Sequence, residues 1–166
     1  MDKIISKLKK IKLVITDVDG VLTDNGLYYT AEGLVMKKFN VKDGMGTRLL
    51  REHGLKCGII STDGGDIIEV RNVRLKMDYL ITGTWDKIGE LKKICETERM
   101  ELENVAYLGD DINDLEIINA VGFSAAPSDA VKSVLETVDY ICKRKGGDAV
   151  FREFAELIIE AKNKQN

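Results

Sequence analysis

A chain of 166 residues with 44% apolar and 32% charged side chains has the composition of an ordinary globular protein. That length fits one domain, here taken as 1–166, large enough to bury a real core. Its net charge of −3, with both signs scattered along the chain, implies no strongly basic face, so nucleic acid is not an expected partner. No run approaches the ~20 apolar residues of a membrane span, and no membrane association is expected.

A single Pro and 15 Gly leave no room for a Pro-rich linker. Cys57, Cys95 and Cys142 form no C-x-x-C pair, so neither a zinc site nor a disulfide framework is indicated, and buried reduced thiols are expected. The opening stretch alternates charged and apolar residues and resembles no secretory signal. The chain therefore reads as cytoplasmic.

In chain order, Ile11–Thr16 is a brief β-branched run ending in a polar cluster, as a buried strand should. Leu27–Thr30 and Leu34–Phe39 flank Ala31-Glu-Gly33 and predict a β-hairpin at about 26–39. Asp43 is placed to cap a helix carrying Met45, Leu49 and Leu50 and stopped by Gly54. Leu55–Ile60 is a second strand, followed by a helix through Ile67 and Ile68 to Leu75. Tyr79–Ile81 is a third strand, and Ile88, Leu91, Ile94 and Cys95 recur at helical spacing. Val105–Leu108 is a fourth strand, and Asp111–Ala120 a short helix. Val121–Ser124 and Val138–Ile141 are short strands around a helix near Val131–Leu135. A last helix, from about Ala149, sets Val150, Phe151, Phe154, Leu157 and Ile158 on one face.

Alternating strands and helices predict an α/β fold, a doubly wound, Rossmann-like parallel sheet with helices on both faces. Ligands of such sheets bind at the carboxyl ends of strands. Strand one ends in Asp17-Val-Asp-Gly-Val-Leu-Thr23, strand two in Ser61. After strand three, Trp85-Asp-Lys87 puts a Lys in a first helical turn, unfavourable for the helix dipole and so suggestive of a functional reason. Strand four ends in Gly109-Asp-Asp-Ile-Asn-Asp114. Each feature has a bland reading as a cap, a solvated loop or a surface charge. Together, carboxylates from two strand ends can hold a hard divalent cation such as Mg²⁺, while Ser61 and Lys87 supply donors to phosphoryl oxygens and an ionised Asp attacks phosphorus.

These four segments resemble, in order and spacing, those of the haloacid dehalogenase-like phosphatases. The resemblance implies that Asp17 is the nucleophile, while Asp19 protonates the leaving alcohol and later deprotonates water. It places Mg²⁺ among the Asp17 carboxylate, the Asp19 main-chain carbonyl and Asp110, with Asp111 and Asp114 orienting the metal shell or Lys87. Room exists between the segments only for a hairpin and single helices, so no cap domain is expected.

Phe39–Gly46, Val105–Asp114, Val138–Tyr140 and Gly146–Glu153 further resemble the 3-deoxy-D-manno-octulosonate 8-phosphate phosphatase family, whose product, Kdo, is a lipopolysaccharide precursor. That likeness implies a capless, Mg²⁺-dependent homotetramer whose hairpins meet at the interface. It also carries substrate contacts onto Asn40, Val41, Lys42, Asp43, Gly44, Arg48, Arg71 and Lys87. Arg48 and Arg71 suit bidentate pairing with the anionic ends of such a substrate. One departure stands out: where the family usually has Gly-Arg after its Ser/Thr, this chain has Thr62-Asp63. An Asp there is expected to repel a substrate carboxylate by roughly 1–4 kcal/mol at about 4 Å, so that Asp63→Arg would lower KM. The change keeps a nine-carbon keto-sugar-acid phosphate open as an alternative substrate. A phospho-receiver domain shares the sheet and the Asp, Ser/Thr and Lys, but its lone accepting Asp precedes the Thr and Lys. Here an acidic cluster follows Lys87 instead.

Overall fold

A computed structural model describes residues 2–164. Six parallel strands form the central sheet: β1 (Leu13–Thr16), β4 (Lys56–Ile60), β5 (Tyr79–Ile81), β6 (Val105–Leu108), β7 (Phe123–Ala126) and β8 (Tyr140–Ile141). Their spatial order is β5-β4-β1-β6-β7-β8, and β2 (Thr23–Thr30) and β3 (Gly33–Phe39) form a separate antiparallel hairpin. After β1 the chain builds outward through β4 and β5, then returns to the other side of β1 with β6. That reversal makes the carboxyl ends of β1 and β6 a switch point, where a crevice opens.

Central strands buried on both faces explain the uninterrupted apolar runs. In β1, Val14 faces one core with Leu8, Leu50 and Phe154, whereas Leu13 and Ile15 face the other with Leu91, Ile94 and Ile117. Helices α1 (Asp2–Lys9), α2 (Asp43–Glu52), α3 (Asp66–Leu75) and α7 (Val150–Asn163) cover the first face. The second is covered by α4 (Lys87–Glu98), α5 (Leu115–Ala120) and α6 (Lys132–Leu135). Burying each of these large aliphatic side chains contributes about 1.5–3 kcal/mol.

Differences from the expected elements are local. Helix α1 stands where no element was expected; Ile4 and Leu8, four residues apart, turn one side of it onto α7. The hairpin strands run longer, from Thr23 to Phe39. Asp43 does not cap α2: Lys42 holds the N-cap position without a side-chain bond, and Asp43 turns inward, fully buried. Between β6 and α5, the segment Ile112–Asp114 is a 3₁₀ turn capped by Asp111, whose carboxylate accepts the Ile112 N–H at 2.6 Å. No described helix is long and apolar enough to cross a membrane, and all three cysteines are buried and unpaired.

Candidate active site

Main-chain bonds carry the sheet one residue beyond its strands, and this fixes the site. The Asp17 N–H donates to the Leu108 carbonyl at 3.0 Å, and the Ser61 N–H to the Ile81 carbonyl at 2.9 Å. Residues leaving β1, β4, β5 and β6 thereby share one edge. A cavity of about 370 Å³ opens there, lined in part by Asp17, Asp19, Ser61, Trp85, Asp110 and Asp111. The turn after β1 needs glycine: Gly20 has φ +76°, and a Cβ on it would lie 1.8 Å from Asp110 Oδ2. Gly109 is equally constrained, since its Cβ would meet Asp114 Oδ2 at 2.4 Å.

Lys87, buried at the start of α4, joins the halves of the site. Its Nζ donates to Asp17 Oδ2 and to Asp114 Oδ1, both at 2.6 Å. Asp86 caps the helix by accepting the Gly89 N–H at 2.9 Å, which sets the angle from which Lys87 enters. Burial acts to lower the pKa of this ammonium, but the charges of Asp17 and Asp114 outweigh it and raise the pKa above its ordinary value.

Asp114 is fully buried and saturated. Oδ1 also accepts the Tyr107 hydroxyl at 2.6 Å, and Oδ2 accepts the Asp110 N–H at 2.9 Å and the Asp111 N–H at 3.4 Å. Its neighbours are the less satisfied carboxylates. Burial pushes the Asp17 carboxyl up, with the Asp114 charge adding and Lys87 opposing. Asp110 is pushed up to about 7, again chiefly by burial, with the Asn25 hydrogen bond opposing and Asp17 adding.

Oxygens of Asp17, Asp110 and Asp114 lie within 4.8 Å of one another, a spacing one cation could bridge. Because four donors already occupy Asp114, Asp17 and Asp110 are the carboxylates left to hold a hard ion. Two buried carboxylates beside a cavity, each with fewer donors than Asp114, form an oxygen donor set of the kind Mg²⁺ prefers, so the residues present fit such an ion.

The structure gathers Asp17, Asp19, Ser61, Asp110 and Asp111 around the cavity, with Lys87 and Asp114 directly behind. It does not bring the second expected group there. Asp43 lies in the core, with Oδ1 accepting the Arg152 N–H at 3.1 Å. Asn40 is spent on main-chain groups, with Nδ2 donating to the Gly147 carbonyl before α7 at 3.2 Å and Oδ1 accepting the Lys42 N–H at 3.0 Å. Arg71 donates to the Asn40 carbonyl at 2.7 Å and lies over the Phe39 ring. Arg48 pairs with Glu52 one helical turn on, and Val41, Lys42 and Gly44 lie outside the cavity lining.

Several contributors were not singled out from sequence. Asn25, in a left-handed conformation at φ 63°, donates to Asp110 Oδ2 at 3.3 Å. Asn113 donates to the Thr62 hydroxyl at 2.9 Å, tying the loops after β6 and β4. Lys37, in the hairpin, donates to Asp19 Oδ2 at 2.6 Å and to Asp63. Asp63 therefore does not face the cavity as a free anion, and the expected repulsion of a substrate carboxylate is offset by a buried ammonium.

Strand-end carboxylates, a buried Lys and a glycine turn on this sheet define a class, and a family profile described as haloacid dehalogenase-like hydrolase matches residues 50–154. The 3-deoxy-D-manno-octulosonate 8-phosphate phosphatase KdsC of Haemophilus influenzae is 36% identical over 160 residues, covering 96% of this chain and 89% of that protein. Its Escherichia coli K12 counterpart is 34% identical over 161 residues, covering 97% and 86%. The crystal structure of the Moraxella catarrhalis phosphatase, solved with magnesium, phosphate and Kdo, superposes with a TM-score of 0.94 at 34% identity, covering 98% of this chain and 94% of that one. The chain belongs to the haloacid dehalogenase-like hydrolases and, within them, to the 3-deoxy-D-manno-octulosonate 8-phosphate phosphatase family, whose members are phosphoric monoester hydrolases.

Proposed function

We propose that this chain hydrolyses 3-deoxy-D-manno-octulosonate 8-phosphate to Kdo and phosphate through a phosphorylated Asp17, supplying a lipopolysaccharide precursor. The observation that carries the reading is the convergence of Asp17, Ser61, Lys87 and Asp110 on one strand-end cavity. Full-length likeness to phosphatases of that sugar acid supports the substrate.

In this reading Asp17 attacks phosphorus while Lys87, already on its carboxylate, also neutralises a phosphoryl oxygen, and Ser61 donates to another. Asp19 gives a proton to the departing sugar oxygen, then takes one from the water that releases phosphate. Asp17, Asp110 and the Asp19 carbonyl would hold Mg²⁺, with Asp111 and Asp114 supporting them. Bound there, the ion supplies charge neutralisation for the carboxylates and the anionic ester.

Assembly is part of the proposal. Leu27, Tyr28, Tyr29, Val35 and Met36 on the hairpin are all exposed, and a two-stranded hairpin is marginal alone, so we assign these side chains to contacts within a homotetramer. Exposed Val41, Lys42 and Arg48 would then be offered to a neighbouring subunit rather than to their own cavity. Buried, unpaired cysteines suit the reducing cytoplasm. Thr62-Asp63, where the family usually has Gly-Arg, keeps one second reading open, a nine-carbon keto-sugar-acid phosphate.

The test is phosphate release with Mg²⁺ over eight- and nine-carbon sugar-acid phosphates and an aryl phosphate. Asp17→Asn is expected to lose on the order of 10³-fold or more in turnover; undiminished release would remove Asp17 as the nucleophile. Preference for a nine-carbon ester would replace the substrate while keeping the chemistry.

A further inference from the structure

Lys37 is the one buried residue of β3, a strand otherwise exposed or half-buried. Its side chain keeps 1% of its surface in water, yet it carries an ammonium group. A buried ammonium persists only when well paired. Here Nζ reaches two carboxylates, Asp19 Oδ2 at 2.6 Å and Asp63. The other Asp19 oxygen, Oδ1, receives the Thr23 hydroxyl at 3.2 Å from the first residue of β2. Both ends of the hairpin thus grip one carboxylate, one donor on each oxygen.

We propose that Lys37 is a positioning residue for proton transfer to the leaving group: it occupies Asp19 Oδ2 and so directs Oδ1 to the substrate oxygen. This rests on the phosphatase reading above, in which Asp19 is the acid. As the bond from phosphorus to the ester oxygen breaks and the bond from Asp17 forms, the Oδ1 proton moves to that ester oxygen, which leaves as the neutral alcohol. Water then attacks phosphorus and returns a proton to Asp19, closing the cycle with no other reactant. A carboxylate free to swing on its side chain would miss this line, and a misplacement of about 1 Å can cost roughly a hundredfold. Asp63 is the second anchor. Half-exposed at the cavity wall, it holds Nζ between two loops that leave different strands. The anion that looked hostile to an acidic substrate is thereby put to structural use.

A positioning role and a merely structural one part company on the leaving group. Expulsion of 4-nitrophenolate needs little protonation, whereas a sugar alkoxide needs it fully. The second-order constant kcat/KM isolates the step in which the leaving group departs, so later hydrolysis of the phosphorylated Asp17 does not enter. Lys37→Met is expected to lower kcat/KM by on the order of 10²-fold on the sugar-acid phosphate and by less than about threefold on 4-nitrophenyl phosphate. Asp63→Asn keeps an oxygen acceptor for Nζ and leaves Lys37 on Asp19 but removes the second anchor's charge, so the ratio of the two constants should fall only part of the way towards that of Lys37→Met. Lys37→Gln retains a neutral donor in the same strand and is read by the same ratio should Lys37→Met fail to fold. Equal losses on both esters, no loss on either, or a ratio in Asp63→Asn as low as in Lys37→Met would overturn the inference alone. A wild type that releases phosphate from neither ester would overturn the phosphatase reading and this inference with it.

Discussion

The strand-end cavity and the hairpin surface of this molecule are built on opposite principles. Around the cavity, charge is concentrated and internally partnered: Lys87 between Asp17 and Asp114, Asp114 under four donors, Lys37 between Asp19 and Asp63. On the hairpin and α3, apolar side chains stand in water: Tyr29, Val35, Met36, Val70 and Val73 are each more than half exposed. The groups assigned to the chemistry lie within one chain apart from the ion, whereas the hairpin surface is the one that the proposed assembly would cover. A capless phosphatase needs both, because an open site bonds the phosphoryl group well and the rest of the substrate poorly.

The largest effect that sharpens this contrast belongs to Asp110. Asp110→Ala removes one of two available carboxylates, and turnover at fixed Mg²⁺ should fall on the order of 10³-fold. A Mg²⁺ titration should show half-activation displaced upward by at least roughly tenfold, with the oligomer unchanged by light scattering. A titration matching wild type would pass the ion to Asp111. The converse substitution is Met36→Glu. A charge placed in a hairpin interface should weaken assembly by on the order of a hundredfold, seen as a smaller species at micromolar concentration. Release from an aryl phosphate should stay within a few-fold of wild type. If wild type is itself a monomer, the tetramer is refuted.

A third measurement asks whether internal partnering extends to the core behind the site. Asp43 is fully buried, and its Oδ2 has no hydrogen-bond partner. Burial pushes its carboxyl up from 3.8 to about 6, against the Arg152 N–H and the charges of Arg71 and Arg144 and with that of Asp148. A folded-state pKa above the unfolded one gives stability that is full below about pH 4 and is lost as pH rises through 6. The loss is at most about 3 kcal/mol. Asp43→Asn has no such charge to bury, so its stability relative to wild type should climb between pH 4 and 7 and then level off. Urea unfolding at several pH values reads this directly; a flat difference would mean that the carboxylate is solvated after all.

The convergence of Asp17, Ser61, Lys87 and Asp110 on one edge was legible because strand ends on a parallel sheet must meet there, and each follows a strand whose apolar run is plain. What sequence hid was anything decided by how the hairpin folds back. Lys37 shares its strand face with Val35 and Phe39, and a cation set between an aliphatic and an aromatic residue on one face was the available signal. Asn25 left no signal beyond a turn-forming residue type. Asp43 misled for a related reason: a helix-start Asp is usually a cap, and only packing against α7 turned this one inward. Likewise Asp63 read as unpaired because its partner lies 26 residues away, in an element whose orientation no local pattern fixes.

The smallest effect is spectroscopic, and it probes the border between the two regions. Trp85 is the chain's only tryptophan, 81% exposed, on the loop between β5 and α4, and it lines the cavity beside Asp111 and Asn113. A large aromatic at the mouth of a phosphoryl site offers an apolar face to the C–H side of a sugar ring, the part of the substrate that the charged groups cannot hold. If Trp85 covers the sugar, then Kdo binding with Mg²⁺ should withdraw the indole from water and shift its emission to shorter wavelength. Inorganic phosphate, filling only the inner site, should not. Trp85→Ala should raise KM for the sugar-acid ester by about tenfold or less and leave kcat nearly unchanged, since the ring holds ground state and transition state alike. An emission spectrum indifferent to Kdo, with KM unmoved in Trp85→Ala, would leave sugar recognition wholly to the neighbouring subunit and make the division between the two regions complete.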